Sequence, residues 1–127
     1  MMASHEVVFV YGTLRRGGSN HFRMEAAEFI CKGRICGRMY RIDWYPGLVL
    51  DAAGDDIVGE AYRVDAELLG NLDSFEGISP GDREGSEYQR VATTVTAEDG
   101  STLTAWVWEW RGEVEGNQRL TSGDWLA

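Results

Sequence analysis

Residues Val7 to Tyr11 read VVFVY, an unbroken β-branched and aromatic run that stops at Gly12. A strand with one wet face alternates apolar and polar residues. A run with no polar position suits a strand covered on both faces. Whatever this chain folds into must therefore pack material on each side of its first strand. The 127 residues fit one domain spanning 1–127, long enough to bury a core without disulfides or metal.

The remaining pattern supplies that material. Arg15 to Ser19 is loop, and Ser19 or Asn20 is placed to cap a short helix through about Glu28, with Phe22, Ala26 and Phe29 near one face. Cys31 to Tyr40 reads as a strand, Trp44 to Gly47 as a turn and Leu48 to Leu50 as a short strand. Asp51 to Asp56 is a polar turn, and Val58, Glu60, Tyr62 and Val64 alternate along a strand from Ile57. Asp65 is the predicted N-cap of a helix with Leu68, Leu69 and Leu72 as its apolar stripe, ending at Phe75-Glu76-Gly77. After a loop over Ile78 to Glu87, Tyr88 to Ala97 and Thr102 to Trp110 form a hairpin around Glu98 to Ser101. Strand, helix, strands, helix, hairpin is an α+β order. It implies one curved, mostly antiparallel sheet or a small barrel, between which periodicity does not choose.

Composition narrows the function. The formal charge of -9 repels phosphate backbones, which argues against a nucleic-acid partner. No stretch approaches the roughly 20 apolar residues of a membrane span. Met1 to Glu6 lacks the charged and apolar regions of a signal peptide, so a cytoplasmic protein is expected. Cys31 and Cys36 lack the close C-x-x-C spacing of a zinc site and read as reduced thiols, and neither metal nor cofactor is expected.

Three places have chemical potential. Tyr11-Gly12-Thr13-Leu14 is a sharp exit from a buried strand, where Gly12 opens backbone angles that other residues avoid and successive N–H groups can converge on an anion or carbonyl oxygen; an ordinary strand-to-loop transition has the same pattern. Glu76 lies at a helix C-terminus beside Phe75, where the helix dipole and an apolar neighbour both raise a carboxyl pKa; a solvated surface acid is the plain alternative. Tyr88, at the start of a strand, either presents its hydroxyl to a polar ligand or is a core aromatic with a wet tip. Arg15, Arg16 and Arg90 read as solvated loop charges, with steering of an anionic substrate as the alternative, and His21 as a residue bracing the loop through a hydrogen bond. Trp106, Trp108 and Trp110 share one strand face, a packing pattern that leaves room for one of them in a cavity wall.

Taken together these segments carry a resemblance. VFVYGTLRRGGSNH, Tyr45-Pro46, Val58-Gly59-Glu60-Ala61-Tyr62, Leu72-Asp73-Ser74-Phe75-Glu76-Gly77, Tyr88-Gln89-Arg90 and Ser122-Gly123-Asp124-Trp125 occur in an order similar to the gamma-glutamylcyclotransferase-like superfamily, and especially its gamma-glutamylaminecyclotransferase branch and short bacterial members. The resemblance implies a small, mostly antiparallel β-barrel with flanking short helices and a cavity at one end. It implies that Tyr11, Gly12, Thr13 and Leu14 bind a γ-glutamyl group, that Tyr88 lines the same cavity and that Glu76 is the acid/base. The implied substrate is a small γ-glutamyl amine or peptide, cyclised to 5-oxoproline without a side-chain nucleophile. A non-catalytic metabolite-binding module and a γ-glutamyl-deprotecting acyl-transfer enzyme of a biosynthetic pathway are the alternatives on the same fold.

Overall fold

The first strand, β1 (His5–Val10), splits the core in two. Val8 and Val10 point to one side and Phe9 and Tyr11 to the other, and all four are buried. This explains the lack of any polar position toward the end of the run. The structure, a computed structural model, describes residues 5–127. Met1 to Ser4, part of the segment read above as lacking a signal peptide, lie outside the described residues.

Five further strands follow: β2 (Glu28–Arg41), β3 (Pro46–Leu50), β4 (Asp55–Asp65), β5 (Tyr88–Ala97) and β6 (Thr102–Trp110). Their order in the sheet is β3-β2-β4-β1-β6-β5. The β1–β6 pairing is parallel and the other strand pairings are antiparallel. A last pairing, Gly33 with Ala97 and Arg34 with Thr96, joins β2 to β5 and closes β2, β4, β1, β6 and β5 into a five-stranded barrel. Closure removes most of the free sheet edge, with β3 left as a flap on β2. The choice between sheet and barrel is thus made by a pairing more than sixty residues apart in sequence, which no local pattern encodes.

Phe9, Ile35, Met39, Leu48, Ile57, Val95 and Val107 fill the barrel. The second cluster lies outside it, beneath the helix α1 (Ala66–Phe75). Asp65 caps α1 as expected, its carboxylate accepting from the Leu68 amide at 2.8 Å, a contact worth about 1 kcal/mol. Leu68, Leu69 and Leu72 are buried against Val8, Val10 and Val64. At about 1.5–3 kcal/mol for each such side chain, this stripe, more than helix propensity, keeps α1 in place.

The expected helix from Ser19 or Asn20 to Glu28 does not form. Only a single 3-10 turn, His21–Met24, is present, and β2 already begins at Glu28. Asn20 does not cap the turn: its side-chain amide donates to the Thr13 hydroxyl at 3.1 Å, and its Oδ1, the atom a cap would use, accepts from Arg23 Nε at 3.3 Å. Phe22, placed above on one face of that helix with Ala26 and Phe29, is 66% exposed. The groups needed to start a helix instead hold the loop after β1.

Candidate functional site

Glu76 owes its position to the way α1 stops. Gly77 has a φ of +81°, the left-handed conformation of a residue just past a helix end. The Gly77 amide donates to the Ser74 carbonyl at 3.1 Å and the Ile78 amide to the Asp73 carbonyl at 2.8 Å, and Ile78 is buried. This paired closure leaves Glu76 as the C-cap of α1, where it borders the pit beside the turn after β1. Further down α1, Asp73 accepts from Arg90 Nε at 2.9 Å and from Trp108 Nε1 at 2.9 Å, pinning the C-terminal turn to β5 and β6. Arg90, read above as a solvated charge, is therefore a structural cation.

Across from Glu76 lies the turn after β1. Gly12, Thr13 and Leu14 line a pit of about 40 Å³ together with Tyr11, Pro46, Glu76, Tyr88 and Trp108. All six sequence-predicted site residues, Tyr11, Gly12, Thr13, Leu14, Glu76 and Tyr88, border this one space. The pit opens into a vestibule of about 200 Å³, which shares Thr13, Tyr45, Glu76 and Tyr88 with it and adds Trp44, Phe75, Gly77 and Glu87.

The reason for glycine at 12 differs from the one expected. Its backbone does not adopt a positive φ. A β-carbon there would instead lie 2.7 and 2.9 Å from Cγ and Cδ of Pro46. The Pro46 ring is rigid and its carbonyl accepts the Tyr88 hydroxyl at 2.8 Å, so it has little room to yield. Gly12→Ala is expected to destabilise the fold by about 1–3 kcal/mol, as overpacking does. The displaced turn should also weaken ligand binding, and thermal melting alongside an activity assay reads both.

The loop is braced from three sides. His21 Nδ1 is 2.8 Å from the Leu14 carbonyl, the bracing contact expected from sequence. Asn20 holds Thr13. Arg15, expected in solvent, is buried: its Nε donates to Glu60 at 3.0 Å and its Nη1 to Asp124 at 2.7 Å. Glu60 is 2% exposed and also accepts from the Arg16 amide at 2.9 Å and the Tyr62 hydroxyl at 3.0 Å. Burial and the adjacent Glu60 push the Tyr62 phenol up to about 12, which keeps it a donor to that carboxylate. The C-terminal segment enters here too, since Gly123 accepts from the Val58 amide at 2.9 Å and Asp124 completes the Arg15 clamp.

The two tyrosines are walls rather than free donors. Tyr11 donates its hydroxyl to the Trp108 carbonyl at 2.7 Å, and burial raises its pKa well above the usual phenol value. Tyr88 donates to Pro46, and burial likewise raises it. Trp108 forms part of the pit wall, while Trp106 lies under the guanidinium groups of Arg83 and Arg90.

Glu76 is the titratable carboxyl of the pit. Burial, followed by the charges of Glu87 and Asp73, pushes its carboxyl from 4.5 up to about 8, with Arg23 opposing. No hydrogen bond contributes to that shift. A half-buried acid titrating near neutrality can accept and return a proton within one reaction cycle.

The sequence model of the gamma-glutamyl cyclotransferase, AIG2-like family matches residues 8–127. The chain belongs to that family. Among its gamma-glutamyl cyclotransferase relatives, a family protein from Escherichia coli is 32% identical, the match covering 94% of this chain and 95% of the relative. A protein from Niallia circulans named gamma-L-glutamyl-butirosin B gamma-glutamyl cyclotransferase is 36% identical over 80% of this chain and 64% of its own length. The crystal structure of an AIG2-like protein from Mus musculus superposes with a TM-score of 0.73 at 29% identity, covering 90% of this chain and 82% of that one. The gamma-glutamyl cyclotransferase fold expected from the sequence, a small barrel with flanking helical turns, is the fold observed.

Proposed function

We propose that this protein cyclises a γ-glutamyl group to 5-oxoproline and releases the attached amine. The observation carrying this reading is the juxtaposition of Glu76 and the Gly12–Leu14 turn around one pit. The 40 Å³ pit accommodates a group the size of a carboxylate, leaving the γ-carbonyl and the leaving amine in the vestibule.

In the proposed reaction, the turn amides hold the glutamyl α-carboxylate and fold the substrate so that its α-nitrogen faces its own γ-carbonyl carbon. Such enforced proximity reaches effective molarities of about 10⁵ M or more. Glu76, as carboxylate, takes a proton from the α-ammonium. The freed amine attacks the γ-carbon, a C–N bond forms, and the carbonyl carries a negative charge in the tetrahedral intermediate. In this reading backbone N–H groups of the turn stabilise it. Glu76 returns its proton to the departing nitrogen as the original amide C–N bond breaks, and the surplus proton on the ring nitrogen passes to the released amine, which leaves as an ammonium beside the neutral lactam. Atoms balance without water, nucleophilic side chain or redox partner. Family membership and the relatives' names support this reaction class.

The test is a panel of γ-glutamylamines, γ-glutamyl amino acids and glutathione, with 5-oxoproline as the readout. Release from at least one γ-glutamyl amide supports the reading. Binding without release across the panel would favour a metabolite-binding module.

A further inference from the structure

The two halves of the site come from distant parts of the chain. The loop after β1 supplies Gly12, Thr13 and Leu14, and the end of α1 supplies Glu76. The His21–Met24 turn meets both, anchored by Met24, which is buried in the cluster beneath α1. Arg23 of this turn makes the contacts. Its guanidinium lies 4.1 Å from the ring centre of Phe75, the residue before Glu76, and 5.0 Å from that of Phe22. Its Nε donates to Asn20 Oδ1 at 3.3 Å, and Asn20 Nδ2 donates to the Thr13 hydroxyl at 3.1 Å. A continuous chain of contacts thus runs from Phe75 through Arg23 and Asn20 to Thr13.

The Arg23 charge is not neutralised where it sits. Among the described residues no carboxylate pairs with it, and its Nε partner is a neutral amide oxygen. The charges acting on Glu76 are Glu87 from the segment before β5, Asp73 from its own helix and Arg23 from the 3-10 turn. Tyr11, Tyr45 and Tyr88 border the same pit from the end of β1, the β2–β3 connection and β5, and burial raises all three phenols, so they stay neutral while Glu76 titrates. His21 is turned toward the Leu14 carbonyl and the Tyr62 ring instead. Arg23 therefore opposes, as a cation, the burial and the two acids that hold Glu76 protonated.

We infer that Arg23 is a positioning residue for both halves of the site: stacked on Phe75 and bonded to Asn20, it ties the end of α1 to the Thr13 turn and brings a positive charge to the acid. The kinetic consequence rests on the cyclotransferase reading; the coupling itself does not. Arginine suits both tasks, because its planar group lies flat on a ring while Nε, in the same plane, donates sideways. Lysine would keep the charge and lose the planar stack and the Nε bond. Because Arg23 is exposed, its effect on Glu76 is modest.

The experiment compares wild type, Arg23→Met and Arg23→Lys by three readouts. The first is the titration midpoint of the Glu76 carboxyl carbon by NMR, its signal assigned by its loss in E76Q. R23M is expected to raise that midpoint by about half a pH unit, and R23K to leave it near the wild-type value. The second is hydrogen exchange of the Arg15 and Asn20 amides, whose bonds to the Gly12 and Thr13 carbonyls close the turn. Exchange should quicken about two- to fivefold in both variants, since both lose the bond to Asn20. The third is the rising limb of kcat/KM with pH for 5-oxoproline release. It should follow the NMR midpoint, so that below the limb R23M falls about threefold beyond any loss shared with R23K. A merely structural role would move the midpoint equally in the two variants, or not at all, and either result would overturn the inference. So would turn amides that exchange at wild-type rates, or a limb that fails to track the midpoint. The expected midpoint and exchange changes without release from any γ-glutamyl amide would overturn the cyclotransferase reading and leave the coupling standing.

Discussion

Glu76→Gln is expected to lower kcat for 5-oxoproline release by at least ~10²-fold, the usual contribution of a positioned general acid–base. The amide is nearly isosteric with the carboxylic acid, so the pit keeps its shape and KM should change much less than kcat. The pH dependence sharpens the test. Glu76 must be ionised to accept a proton, and burial with Glu87 and Asp73 places its pKa near 8. In the wild type, kcat/KM should therefore rise as pH rises toward 8, and this limb should disappear in E76Q. Stability should move the opposite way. A carboxyl whose folded pKa lies above its unfolded value stabilises the fold fully below about 4.5 and loses that contribution as pH rises through about 8. At pH 4 both proteins hold a neutral side chain and should melt alike. At pH 9 the wild type holds a charge at an unfavourable site, and E76Q should be the more stable by on the order of 2 kcal/mol. An E76Q protein that turns over normally, or whose melting temperature tracks the wild type across this range, would remove Glu76 from the proposed role.

The residues this prediction depends on were legible in the sequence because their signals are local. A covered strand ending in Tyr11-Gly12 and an apolar helical stripe ending in Phe75-Glu76-Gly77 each mark a chain reversal, and both reversals fall at the same barrel end. Glu60 gave no comparable signal. It shares a strand face with Val58, Tyr62 and Val64, which marks it as an odd acid but names no partner, and that partner, Arg15, lies 45 residues away. Arg15 in turn looked like a solvated loop charge because nothing nearby in sequence indicated that β4 and the C-terminal segment would cover it. The expected Asn20 helix failed for the converse reason: the cap signal was local, but the side chain is held between Thr13 and Arg23, with its Oδ1 accepting from Arg23. Glu87 was visible only as a residue preceding a strand. Its place in the vestibule depends on Tyr45, which the barrel brings to it from 42 residues away.

Glu60→Ala should be among the most destabilising single changes available outside the apolar core. The carboxylate holds three donors, from Arg15, the Arg16 amide and Tyr62. Removing it leaves the Arg15 guanidinium buried with Asp124 as its remaining partner. Breaking one side of a buried pair in this way costs about 3–5 kcal/mol when the surviving charge is uncompensated, and the lower end is expected here because Asp124, about a third exposed, still pairs with the cation. Natural domains have total stabilities of about 5–15 kcal/mol, so the loss is a large fraction of the whole. A fall in melting temperature of about 10–20 °C is expected. Two mechanisms predict such a fall, and a second variant separates them. If the penalty comes from the stranded charge, replacing Arg15 by Met in the Glu60→Ala background should restore a substantial part of the stability, since the pocket then holds no unpaired cation. If it comes from lost packing, the double variant should be no better than the single. Activity should not recover in parallel. Arg15 and Arg16 directly follow the turn that borders the pit, and their links to Glu60 and Asp124 tie that turn to β4 and to the chain's last residues. A stable double variant with depressed kcat/KM would assign this buried network the task of holding the turn in register with Glu76. Full recovery of both would reduce it to a stability element with no part in positioning the site.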